Sequence, residues 1–268
     1  VNVYRHLQFC HQCLWPDLDV HMISVTEQFA QYAVAGPNSR KLLQKVIDSN
    51  CDISNEAFPY MAAGEITVCG GIPARLFRIS FSGELAYEIA VQTRYGDSLM
   101  RALMEAGEEF NVVPYGTEAL GVMRIEKGHA AGPELNGQTS AYDLGMGGMI
   151  SGKKDFIGYK LGLREDLLLD DRMQMVGFKP VNTQDLLQAG SHLLNLRDKP
   201  STETDQGWIS SCIYSPILGH YIGIGFIKSG HSRKGEFVRA VDLVRGNDIE
   251  VEICSPHFVD PEGERLRV

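Results

Sequence analysis

Apolar positions recur at helical spacing in three stretches of the first half of the chain. Leu42, Leu43, Val46 and Ile47 form one stripe, and Gly36-Pro37-Asn38 ahead of it supplies a turn and a capping residue. Leu99, Met100, Leu103 and Met104 form a second, opened by Asp97 and closed near Gly107. The third runs from Gly116 to Gly128 and puts Ala119, Val122, Met123 and Glu126 on one face. Between the first two helices the period falls to two. Glu65 to Cys69, Ala74 to Phe81 and Leu85 to Val91 read as consecutive strands joined by Gly70-Gly71 and Ser82-Gly83. Phe77, Ile79 and Phe81 alternate with Arg78 and Ser80; Tyr87, Ile89 and Val91 alternate with Glu88 and Ala90. Antiparallel strands with helices packed on one face predict an α+β layer.

Near residue 165 the pattern changes. Beyond Arg172 only short strands recur: Gln174 to Phe178, His192 to Leu196, Trp208 to Tyr214, Tyr221 to Lys228, Phe237 to Val244 and Ile249 to Cys254. Gly246-Asn247 suits a tight hairpin turn, and the polar stretch from Arg197 to Gln206 with Pro200 is a loop. Short strands without helices hide their edges best by closing into a small barrel or sandwich. The expected division is therefore 1–165 as an α+β domain and 166–268 as a β-barrel domain.

Composition narrows the function. With 268 residues, 44% of them hydrophobic, the chain can bury a substantial core. Its 34 acidic and 25 basic residues leave a net charge of −9, which argues against a nucleic-acid surface. The longest apolar candidate, Tyr221 to Ile227, is short and broken by glycines, so no membrane span is expected. The opening Val-Asn-Val-Tyr-Arg-His has neither an initiator Met nor the regions of a signal peptide, as expected of a fragment. Six sparse cysteines fit a reducing compartment, and cytoplasmic is the expected location. Cys10 and Cys13 lie three apart near His6, His11 and His21, but no second pair completes a zinc set. Two cysteines sharing a packed helical face is the preferred reading, and no metal is expected.

Several chemistries fail on spacing. Gly70-Gly71, Gly145 to Gly148 and Gly223 to Gly225 lack the order of a phosphate or dinucleotide loop. There is no Gly-x-Ser-x-Gly elbow and no His-Glu-x-x-His pair, and His129, His220 and His231 are scattered. Lys153-Lys154-Asp155 reads as a solvated turn. Glu88 is more informative, since a carboxylate among Tyr87, Ile89 and Val91 is costly to bury without donors. Two readings stand: a carboxylate that meets a specific donor, or a wet cross-strand pair with Arg78.

Ordered motifs then carry a resemblance. Arg78-Ile79-Ser80-Phe81-Ser82-Gly83-Glu84-Leu85-Ala86-Tyr87-Glu88-Ile89 resembles the folate-binding strand pair of the glycine-cleavage T-protein (aminomethyltransferase) superfamily. Gly116 to Leu120, Met123 to Gly128 and Lys154 to Gly158 continue it in order, and Phe258 to Leu266 is similar to the ending of its sarcosine-oxidase-type branch. The resemblance implies a tetrahydrofolate-binding α+β domain and a C-terminal barrel. It also implies a reaction: a flavin in another subunit oxidises sarcosine, and the methylene iminium is captured as 5,10-methylenetetrahydrofolate. Other oxidase subunits are the implied partners, and FAD, FMN and NAD are expected only elsewhere in such a complex.

Glu88 matches the family's pterin-recognising glutamate, whose carboxylate accepts two parallel hydrogen bonds from the pterin edge. Phe81 stands where relatives often have Tyr, keeping the ring and losing a hydroxyl. Met146 falls where some relatives place an apolar residue near the pterin. An arginine that T-proteins carry near Leu120 is absent. Relatives also carry a long segment before the point matching Val1, with an aspartate at the reacting folate nitrogen, so no general base is named in this chain. Two alternatives remain: a noncatalytic folate-binding or assembly module, and a stand-alone glycine-cleavage aminomethyltransferase.

Overall fold

The computed structural model describes residues 1–268. After a short N-terminal helix, α1 (Asn2–Phe9), a four-stranded antiparallel sheet has the order β1-β4-β3-β2. Its strands are β1 (Phe29–Ala35), β2 (Ala63–Val68), β3 (Ile72–Phe77) and β4 (Ala86–Gln92). The expected alternation holds in β4: Tyr87, Ile89 and Val91 are fully buried. They pack under α2 (Ser39–Val46) and α3 (Gly96–Gly107), where Leu42, Leu43, Leu99 and Leu103 complete one core with Leu76. Burying each such side chain contributes about 1.5–3 kcal/mol. Asn38 precedes α2 but its side chain does not cap it; the amide oxygen accepts from Lys41 Nζ.

Two departures from the sequence pattern matter. Strand β1 was not signalled. β3 stops at Phe77 rather than running to Phe81, because Ser80 turns its hydroxyl to the Gly83 N–H and closes a loop. Arg78 therefore does not pair with Glu88, whose register partners are Ala33 and Phe77. Its guanidinium is wholly buried, bound to Asn55 Oδ1 and to the carbonyls of Phe58, Leu266 and Val268.

The second half closes into a barrel of six antiparallel strands in the order β10-β5-β8-β7-β6-β9. These are β5 (Met173–Pro180), β6 (His192–Leu194), β7 (Gly207–Ser215), β8 (His220–Lys228), β9 (Phe237–Asp242) and β10 (Asn247–Cys254). Val176, Phe178, Leu193, Ile209, Val238 and Val251 fill its interior. Strands β7 and β8 approach so closely that a Cβ on Gly225 would lie 2.3 Å from the Trp208 carbonyl oxygen. Between β9 and β10, Asp242 accepts the N–H groups of Val244 and Arg245, and Gly246 takes φ +69°.

Helix α4 (Thr117–Lys127) joins the two parts, packing against β7 and β8. Its expected apolar face is corrected: Ala119 is exposed, Val122 and Met123 are half-exposed, and the buried residues are Ile125, Glu126 and Lys127. Polar pairs hold the junction. Arg124 meets Glu134 at 3.1 Å and donates to Ser211 Oγ, while Glu134, with no exposed surface, also accepts from Ser210 and Ser211. Glu126 accepts from Ser215 at 2.5 Å. Buried charges persist only when partnered in this way. No helix is long and apolar enough to cross a membrane.

Candidate functional site

Helices α2 and α3 cover one face of the sheet; Glu88 belongs to the opposite face, where Gln31 and Ala33 are exposed and Ala86 and Ala90 are buried. Residues directly opposite in antiparallel register share a face, so Glu88 stands in a row with Ala33 and Phe77. The flanking rows bring Ala35 with Ala86, and Gln31 with Ala90 and Arg75. Glu88 thus has the small Ala33, Ala86 and Ala90 and the larger Phe77, Gln31 and Arg75 around it. The carboxylate is half-buried, and its Oε2 accepts from Gln31 Nε2, a diagonal neighbour. Oε1 has no partner within the chain. Tyr115 lies close enough that Glu88's charge adds to burial in raising the phenol above its usual range.

Phe81, 41% exposed, sits on the loop between β3 and β4. Its ring stacks on His129 with centroids 5.8 Å apart and planes 24° apart. His129 Nδ1 lies 3.0 Å from the Phe81 carbonyl oxygen, which can only accept, so that nitrogen carries the proton and Nε2 is free. Burial, together with the charges of Lys127 and His257, pushes the His129 imidazole below the ordinary histidine range against that carbonyl's opposing pull.

Met146, 37% exposed, belongs to a different segment. It precedes a 3-10 turn at Gly147–Met149, and its N–H donates to the Ala141 carbonyl at 2.7 Å. That segment is tied to the barrel by Met175 N–H to the Asp143 carbonyl and by the Arg172–Asp143 ion pair at 2.6 Å. Glu88 and Phe81 thus share one hairpin, and no hydrogen bond or ring contact joins Met146 to either.

The four principal concavities do not include Glu88, Phe81 or Met146 in their walls. One of about 440 Å³ begins on the same sheet beyond Glu88, at Arg75, Gln92 and Phe29. Another, of about 620 Å³, lies at one end of the barrel beside His192 and Arg245. Cys10 is buried with its Sγ 3.6 Å from His6 Nε2, whereas Cys13 is exposed. No group of three His, Cys, Asp or Glu side chains is placed to hold a metal.

The sequence reading missed Gln31, Tyr115 and His129. Gln31 lies on the unsignalled strand. Tyr115 sits in a connector with no period. His129 could have been found only from its place immediately after the Gly128 that ends α4. For a flat heterocycle with adjacent donors, Glu88 supplies the acceptor chemistry, with one oxygen unpartnered within the chain and the other held by a neutral amide, but none of the four principal concavities opens at it.

An antiparallel α+β layer followed by a closed six-stranded barrel is the architecture of an aminomethyltransferase-type protein. The crystal structure of the glycine cleavage system aminomethyltransferase T from Bartonella henselae superposes with a TM-score of 0.70 at 22% identity, over 87% of this chain and 60% of that one. The chain belongs to the glycine cleavage T-protein family: the GCVT N-terminal domain matches residues 1–154, and the T-protein C-terminal barrel domain matches residues 174–260. It is 46% identical over 269 residues to the sarcosine oxidase subunit alpha of Rhizobium meliloti (strain 1021), covering 100% of this chain and 27% of that protein. The corresponding subunit of Corynebacterium sp. (strain P-1) is 41% identical over 95% of this chain and 26% of its own length. An aminomethyltransferase of Chloroherpeton thalassium is 29% identical over 81% of this chain and 57% of its own length. The chain spans about a quarter of the length of the sarcosine oxidase subunits it matches.

Proposed function

We propose that this chain is the tetrahydrofolate-binding, one-carbon-transfer region of a sarcosine-oxidase-type alpha subunit, with Glu88 as pterin anchor and Phe81 as its aromatic neighbour. The observation that carries the reading is half-buried Glu88, whose carboxylate keeps one oxygen without a partner in the chain, on the sheet face opposite α2 and α3. The greater identity to oxidase subunits than to the stand-alone enzyme, 46% against 29%, favours the oxidase branch.

A bound reduced folate would supply the amine nitrogens that take up the methylene carbon of the iminium formed from sarcosine. The chain's own contribution is positioning. Glu88 accepts the paired N–H groups of the pterin edge once Gln31 moves aside. Exposed Ala33 lies beside Glu88 in register, and Phe81, backed by His129, offers an apolar edge. Keeping water from the iminium prevents its hydrolysis to formaldehyde. Met146 is the apolar residue this reading places near the pterin, other oxidase subunits are the partners it requires, and FAD, FMN and NAD belong elsewhere in the complex.

Calorimetry on the native subunit tests the assignment. Glu88→Ala should weaken reduced-folate binding by more than about ten-fold, as expected for loss of a charge-assisted bidentate contact, with the fold intact. Unchanged affinity overturns it. Trapping isotopically labelled iminium or formaldehyde as methylene folate separates transfer from binding alone, and failure to trap it favours the noncatalytic module.

A further inference from the structure

The last nine residues return from the barrel to the hairpin that carries Phe81 and Glu88. Phe258 and Val259 donate to the Glu126 carbonyl, so the segment enters alongside the end of α4. Lys127 Nζ meets Asp260 Oδ2 at 3.1 Å, and the same carboxylate accepts the N–H groups of Glu264 and Arg265. Arg265 then reaches Glu84 at 2.6 Å, within the loop between β3 and β4. In that loop Gly83, at φ +85°, lies against the Lys127 stem so closely that a Cβ there would be 2.9 Å from Cγ and Cδ.

Beyond Arg265 the grip tightens. Leu266 is buried, and the Val268 carbonyl oxygen accepts from both Arg78 Nη2 and Arg40 Nη2 at 2.8 Å. Arg40 Nε in turn donates to the hydroxyl of Tyr87, the residue before Glu88, at 2.8 Å. Arg78 forms no ion pair with an Asp or Glu side chain and has no exposed surface. Two of its four acceptors, the Leu266 and Val268 carbonyls, come from this segment. A buried guanidinium that loses half its acceptors cannot stay where it is, so the end of β3 depends on the segment's return.

We propose that Asp260–Val268 is a clamp that fixes the β3–β4 hairpin, and that Arg78, Arg40 and Arg265 are positioning residues for the Phe81 ring and the Glu88 carboxylate. The proposal rests on the folate reading for its purpose, but its mechanics stand without ligand. Phe81 is held from the other side by His129, so the loop is gripped at Phe81, Glu84 and Tyr87 by groups distant in sequence.

The test uses the full subunit with the exposed pair Glu84 and Arg265, which can be altered without emptying the core. Glu84→Gln and Arg265→Gln should each speed amide hydrogen exchange across Ser80–Glu88 without ligand and weaken reduced-folate binding about three-fold, the size expected of a partly exposed ion pair. The double variant should lose no more than either single, and the swap Glu84→Arg with Arg265→Glu should restore both readouts. Exchange confined to residues outside the hairpin, additive losses, or a swap that restores neither readout would overturn the clamp. If exchange responds as stated while wild-type protein binds no reduced folate, the clamp stands and the folate reading fails.

Discussion

The barrel and the sheet bury similar kinds of side chain in opposite ways. The barrel closes on itself, with both ends of its strand order paired, and Phe178, Val251 and Ile209 have no exposed surface. The sheet spends one face on helices α2 and α3 and carries Glu88 on the other. A closed wall has its inner face filled by side chains, which leaves its outer surface and rims for contacts. An open wall keeps a face on which one charged side chain can be positioned. The difference assigns stability chiefly to one region and recognition to the other, with a polar joint between them.

The strongest way to break this contrast is to cut the joint. Glu134→Ala removes the carboxylate that Arg124, Ser210 and Ser211 share, stranding a nearly buried guanidinium, and should cost about 3–5 kcal/mol in urea unfolding. If the two regions depend on that joint, the single transition should split into two. A smaller effect lies in acid. Burial pushes Asp143 up, but hydrogen bonds from Arg172 and Ser140 outweigh it and hold the carboxyl below its ordinary 3.8. The stabilisation is therefore complete above that value and lost as pH falls through the lower, folded one. Asp143→Asn should be less stable at neutral pH and show a shallower acid limb below about pH 4 in a denaturation series. Smallest is a difference in thiol labelling at pH 8. Burial pushes Cys254 of the barrel up to about 12, so it should resist alkylation, whereas exposed Cys13 labels first. Comparable labelling rates in the folded protein would mean the barrel opens as readily as the N-terminal segment.

The barrel was the more legible region because strands such as β8 and β10 carry large apolar side chains at period two (Ile222, Ile224, Phe226; Ile249, Val251, Ile253) between clear turns. In the sheet, Tyr87, Ile89 and Val91 gave β4 by the same signal. Strand β1 escaped because Phe-Ala-Gln-Tyr-Ala-Val-Ala puts Tyr32 and Val34 toward the core but Phe29, Ala33 and Ala35 on the other face, where alternation calls for polar residues, so its period of two is blurred. In helix α4 the spacing places Glu126 on the packed face, as observed, but with Ala119, Val122 and Met123 rather than with Ile125 and Lys127; the burial of Glu126 and Lys127 depends on partners at Ser215 and Asp260 far along the chain. The alternation of Arg78 with Ile79 carries no mark of the end of β3 at Phe77. Glu88 could be singled out, but its neighbours Gln31 and Tyr115 are set by tertiary register alone.

The contact of α4 with the barrel is knit by Arg124, Glu126 and Glu134 rather than by a greasy patch. Produced separately, the two pieces would offer each other hydrated charges instead of sticky surface, so they should remain dissolved and reunite feebly, more feebly still in concentrated salt. Evolution could shuffle such pieces with little danger of clumping, at the cost of needing one continuous polypeptide to keep them together.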